Sequence, residues 1–197
     1  GAVIMKTVNS GISGVSGNLS FTSGTTSDGA SGSIELYSGD ATNGEGGDIL
    51  LSVGKSKTDF GGDIRLLGGD SEPYTGGAIS FGSGEGTKTS SGALVLSTVN
   101  SGTSGVSGML SFTSGTTSSG SSGSFTLGTG TATNGKGGDM ILSIGSGTTF
   151  DGGDVYIKSG DTTASTKDSG AISMIGGYAT STTKSVGGEI VVADFKT

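Results

Sequence analysis

Gly47-Asp48-Ile49-Leu50-Leu51-Ser52-Val53-Gly54 is a short apolar run closed at both ends by glycine. Ile49, Leu51 and Val53 alternate with Asp48, Leu50 and Ser52. Alternation over four to six residues is the period of a strand with one face turned to a core. Variants of the run return along the whole chain. Their leading glycines are Gly1, Gly17, Gly32, Gly47, Gly62, Gly77, Gly92, Gly108, Gly123, Gly138, Gly153, Gly170 and Gly187 or Gly188. The usual spacing is 15 residues, lengthening to 16 after Gly1 and Gly92 and to about 17 near the C-terminus.

The alternating apolar positions pair as Val3/Met5, Leu19/Phe21, Ile34/Leu36, Ile49/Leu51, Ile64/Leu66, Ile79/Phe81 and Leu94/Leu96. They continue as Leu110/Phe112, Phe125/Leu127, Met140/Leu142, Val155/Ile157, Ile172/Met174 and Ile190/Val192. A longer period overlies this one. Thr7-Val8-Asn9-Ser10-Gly11 returns 91 residues later as Thr98-Val99-Asn100-Ser101-Gly102, and Ala41-Thr42-Asn43-Gly44 returns as Ala132-Thr133-Asn134-Gly135. Six short repeats therefore form one block. The block is duplicated, giving a first block over 1–91 and a second, continuous with it, over 92–197.

Polar segments of about seven residues separate the runs, and Asn43-Gly44 and Asn134-Gly135 are turn dipeptides within them. A short repeat cannot bury its apolar face alone, so neighbouring repeats must stack. The pattern predicts an all-β fold: a narrow β-solenoid of about 13 coils, each with one strand and a turn-rich return. Its expected core is Leu19, Phe21, Ile34, Leu36, Ile49, Leu51, Ile64, Leu66, Ile79, Phe81, Leu94, Leu96, Leu110, Phe112, Phe125, Leu127, Met140, Leu142, Val155 and Ile157. The alternative is an antiparallel β-meander with each polar segment as a hairpin loop. Two-residue turns are the commonest hairpin connection, and these segments are longer.

Composition narrows the class. Gly numbers 43 and Pro 1 in 197 residues, yet 30% of the chain is hydrophobic. Glycine is not every third residue, which excludes collagen. Cys, His and Trp are all missing, so disulfides and thiolate metal sites are ruled out. A formal charge of −7 argues against nucleic acid as a partner. No apolar stretch approaches the roughly 18 residues of a membrane span. Gly1-Ala2-Val3-Ile4 opens inside a repeat, and the expectation is a mature protein or a segment of a longer one.

Ser31-Gly32-Ser33-Ile34-Glu35-Leu36-Tyr37-Ser38-Gly39 and Gly46-Gly47-Asp48-Ile49-Leu50-Leu51-Ser52-Val53-Gly54 resemble the Gly/Ser/Thr-rich solenoid arrays of extracellular and cell-surface proteins of diatoms, oomycetes and related algae. The likeness covers nearly the whole chain. It implies a surface or fibre role, not an activity.

Candidate sites lie on the outward strand positions. Asp48 and Asp63 share one position in successive coils, as do Asp139 and Asp154. Stacked carboxylates repel, and a Ca²⁺ between each pair would supply a hard cation for oxygen ligands. Solvation, or hydrogen bonds from Ser, Thr and turn amides, is the simpler account. Asn18-Leu19-Ser20 is an N-glycosylation sequon, and its counterpart in the second block is Met109. Leu50, Leu67, Val95, Met109, Ile141, Tyr156, Ile175 and Val191 should point away from the core, and a contiguous apolar stripe would mark a packing interface.

Catalytic readings lack parts. Without His or Cys the usual base and nucleophile are missing. Gly84-Glu85-Gly86-Thr87-Lys88-Thr89 lacks the residue order of a phosphate loop. No uninterrupted Thr-x-Thr ladder occupies the outward strand face, while the Thr-rich returns Thr131-Ala132-Thr133 and Thr162-Thr163 keep an ice-binding reading open. Neither end carries a cap: Gly1 starts on a run, and Val191-Val192-Ala193-Asp194-Phe195 finishes on one. Either caps lie outside this segment, or the open edges pair with neighbouring copies, and a head-to-tail contact that does not close makes a filament. The expected function is that of an extracellular structural rod, not an enzyme. It would pack on itself head-to-tail and laterally in a fibre or surface layer, with glycans as further partners. An adhesin or ice-binding rod is the alternative, and a polysaccharide-acting enzyme comes after it.

Overall fold

The polar segments bend the chain, and they do so at the period of the sequence. In the computed structural model, which describes residues 1–180 and 186–193, bends fall at 27–29, 42–44, 57–59, 72–74 and 87–89. They resume at 103–105, 118–120, 133–135 and 148–150. Asp194 and Phe195, at the expected final run, lie outside the described residues. The chain divides into two units, Gly1–Leu96 and Ser97–Thr197.

Hydroxyl side chains hold the bends. Thr26 Oγ1 donates to the Asp28 carbonyl at 2.7 Å and accepts from the Asp28 N–H at 3.3 Å. Thr117, 91 residues on, repeats both contacts with Ser119, at 2.9 and 3.3 Å. Ser10 Oγ donates to the Gly14 carbonyl at 3.2 Å, and Ser101 repeats this with Gly105 at 3.3 Å. Such local side-chain bonds offer the backbone an alternative to a ladder, which is why Ser and Thr favour turns. Gly29 and Gly120 leave their bends with φ of +94° and +106°, a region that L side chains rarely enter.

Each bend brings the end of one run against the start of the next. A Cβ placed on Gly32 would lie 3.7 Å from the Cβ of Ser23, and one on Gly47 would lie 3.4 Å from that of Ser38. Gly62 closes on Val53, Gly123 on Ser114, Gly138 on Thr129 and Gly153 on Ile144 in the same way. At some corners a main-chain bond joins the arms. Gly77 N–H donates to the Gly69 carbonyl at 2.8 Å, Gly92 to Gly84 at 3.0 Å, Gly170 to Gly160 at 2.9 Å and Gly188 to Gly177 at 2.8 Å. Two residues out from Ser114 and Gly123, the rings of Phe112 and Phe125 stand 6.4 Å apart, tilted by 30°. The arms therefore run in opposite directions from each bend.

This geometry overturns the β-solenoid. A coil would set Gly47 beside Gly32, one 15-residue period earlier; Gly47 instead lies against Ser38, nine residues earlier. The antiparallel meander fails as well, because the described residues contain neither helix nor strand. The cross-arm main-chain bonds sit at the corners and do not continue as a ladder. Composition supplies a reason. Glycine loses the most conformational freedom on ordering and is depleted in strands, and the runs here are bounded and interrupted by it.

The expected core is also corrected. Leu19, Phe21, Ile34, Leu36, Ile49, Leu51, Ile64, Leu66, Ile79, Phe81, Leu94, Leu96, Leu110, Phe112, Phe125, Leu127, Met140, Leu142, Val155 and Ile157 are all exposed. Among the described residues no side chain is buried. Within each unit the arms touch edge to edge, and among the described residues the apolar side chains stay uncovered. No helix of the described residues is long and apolar enough to cross a membrane.

Candidate functional site

The feature most able to engage another molecule is the apolar side of the folded arms. Ile49 keeps 49% of its surface in water, against 85% for its neighbour Leu50. Ile79 and Leu110 stand at 49% and 54%, against 85% for Met109. The expected inward position is the less exposed one in these runs only in part of the chain: Leu36 at 73% stands beside Tyr37 at 77%, and Val192 at 89% exceeds Val191 at 70%. Leu67, Val95, Ile141, Tyr156, Ile175 and Val191 are each 70% exposed or more, as are Leu36, Leu127 and Leu142 of the expected core.

Within the first unit Met5, Phe21, Ile34 and Leu36, with Glu35, line a hollow of about 340 Å³. Phe21 and Ile34 sit two residues out from the Ser23/Gly32 corner. In the second unit Phe112 and Phe125 occupy the positions 91 residues later. Each unit therefore presents an apolar pair at the same place in its fold. A second hollow, of about 430 Å³, is the mouth of the bend formed by Ser56, Lys57, Thr58, Asp59 and Phe60. It is built from consecutive residues of one turn, held by the Asp59 N–H donating to Ser56 Oγ at 3.0 Å.

The acidic positions are not assembled as expected. Gly47 sits at one end of its run, against Ser38, while Gly62 meets Val53 at the other. Asp48 and Asp63, which follow these glycines, are thereby directed to opposite ends of that run. Asp154 is separated from Asp139 by the same reversal, since Gly138 meets Thr129 and Gly153 meets Ile144. No group of three or more potential metal-ligating side chains forms among the described residues. Asp139 takes a different partner: Lys136 Nζ donates to its two carboxylate oxygens at 2.7 and 2.9 Å. Lys158 pairs with Asp161 likewise. The Lys-x-x-Asp spacing, Lys136 to Asp139 and Lys158 to Asp161, is the signal in the sequence for both pairs.

Asn18 and Ser20 of the sequon are both exposed. Thr133 lies in a bend, and Thr162 Oγ1 accepts from the Ala164 N–H at 3.2 Å, so neither threonine group forms a flat ladder. Lys88 and Thr89 likewise lie in a bend, with no helix after them. Comparison of the chain with protein-family models, curated proteins and solved structures finds no match.

Proposed function

We propose that this chain is a structural repeat protein whose folded arms acquire their core by packing on other copies of the same chain. The carrying observation is that every large apolar side chain among the described residues is exposed, Ile49 and Phe21 included. A chain that buries no apolar surface has little to offset the entropy of ordering its backbone. Segments in that position gain order by binding. The apolar positions recur at a fixed period, so a second copy meets the same spacing that it presents. That repetition favours lateral association, and unclosed lateral association makes a fibre or layer. An extracellular or surface setting accords with the Gly/Ser/Thr composition and the exposed sequon at Asn18.

Sedimentation velocity across a concentration series, with electron microscopy of the same samples, tests this reading. Growth from monomer to large assemblies of regular width supports it. A monomer at every concentration, with no ordered particles, rejects it.

A further inference from the structure

The chain holds two Asn-Gly dipeptides, Asn43-Gly44 and Asn134-Gly135. Asn43 and Asn134 are exposed, sit in the middle of bends 91 residues apart, and each precedes a glycine. Among the described residues neither side chain is engaged in a hydrogen bond that would hold its amide away from the backbone. A Cβ added to Gly44 or Gly135 would meet nothing within 4 Å.

We infer that Asn43 and Asn134 are sites of self-deamidation, with water as the co-reactant. The Gly44 nitrogen attacks Cγ of Asn43, and the new N–Cγ bond closes a succinimide. The Cγ–Nδ2 bond breaks, and the amide nitrogen leaves as ammonia with the proton lost from the glycine N–H. Water then adds to one of the two ring carbonyls. Opening at Cγ leaves aspartate; opening at the main-chain carbonyl leaves isoaspartate, with an extra methylene in the backbone. No oxidation or reduction takes place. Gly135 and Asn134 react in the same way.

The products change both charge and connection. Two further carboxylates join a chain of formal charge −7. Isoaspartate at position 43 lengthens the bend that brings Gly47 against Ser38, and at 134 it lengthens the bend that brings Gly138 against Thr129. The reaction therefore acts on two equivalent corners, one in each unit.

The test is incubation of the whole chain at mildly alkaline pH, followed by peptide mass mapping and an ammonia assay. The chain has no glutamine, so side-chain ammonia reports asparagine alone. Asn18, exposed but followed by Leu19, is the internal control. The expected result is the mass shift of NH exchanged for O at Asn43 and Asn134 well before Asn18, with isoaspartate among the products. Gly44→Ala and Gly135→Ala, which meet no atoms in the fold, should slow their own sites several-fold. Equal rates at Asn43, Asn134 and Asn18, or rates unmoved by the alanines, overturn the inference.

Discussion

Gly123 closes on Ser114 so tightly that a Cβ on the glycine would stand 3.5 Å from the serine Cβ. Disulfides span Cβ separations of about 3.5–4.5 Å, and the chain has no native cysteine to interfere. The double variant Ser114→Cys/Gly123→Cys should therefore oxidise to an intramolecular bridge. Gly108→Cys/Gly123→Cys, one sequence period apart, should remain reduced under the same conditions, because Gly108 closes on Thr98 instead. Peptide mapping under non-reducing conditions reads both. A faster bridge in the second pair would mean that the chain coils and does not reverse.

The bends that end in a left-handed glycine should be sensitive to a side chain there. Gly29 has φ of +94°, and forcing an L residue into such a conformation costs about 1–2 kcal/mol. In a Ser23→Cys/Gly32→Cys background, Gly29→Ala should lower the effective concentration of the two thiols about fivefold or more. Gly44→Ala, placed in a Ser38→Cys/Gly47→Cys background, should leave closure unchanged, since Gly44 is not left-handed and its surroundings are open. Thiol–disulfide equilibrium with glutathione measures the two backgrounds.

Exposed apolar faces should bind a hydrophobic dye and lose it on association. Phe21, Ile34, Phe112 and Phe125 are each about 60% exposed. Dilute protein should enhance 8-anilinonaphthalene-1-sulfonate fluorescence, and the enhancement should fall as assemblies grow. Full burial of one such side chain is worth about 1.5–3 kcal/mol. Replacing Phe112 and Phe125 together by serine should then raise the concentration needed for assembly by more than about tenfold, read by light scattering. Asp48→Asn, away from the apolar side, serves as the comparison and should not raise it.

The repeat period and the polar segments that bend were legible in the sequence. The direction of the chain after each bend was not. Ile49 and Leu51 alternate in the same way whether the next run stacks in parallel or folds back. The difference lies in whether Gly47 meets Gly32 or Ser38, and both are small residues suited to a tight corner. Strands do not follow from the pattern for a related reason: alternation reports which side chains share a face, whereas a ladder needs main-chain pairing along the run. The expected core failed because one-sided apolar arms need a covering layer, and nothing within the described residues supplies it. The acidic pairs failed with the coil that would have stacked them, leaving Asp139 to Lys136.

Charge should govern association as strongly as apolar surface does. With 17 acidic and 10 basic side chains, copies of this chain repel one another at neutral pH. Salt screens exposed charges over about 10 Å at 0.1 M ionic strength and about 3 Å at 1 M. Acidification removes negative charge from the carboxylates while lysine and arginine keep theirs, so the net charge moves toward zero near the sequence pI of about 4.3. Association is easiest where net charge vanishes. The concentration at which light scattering rises should therefore fall with added salt at neutral pH, and fall again as pH is lowered toward 4.3. Near that pH added salt should have little further effect, because little net repulsion is left to screen. A threshold that rises with salt at neutral pH would show that attractive ion pairs, of the Lys136–Asp139 kind but between copies, hold the assembly instead.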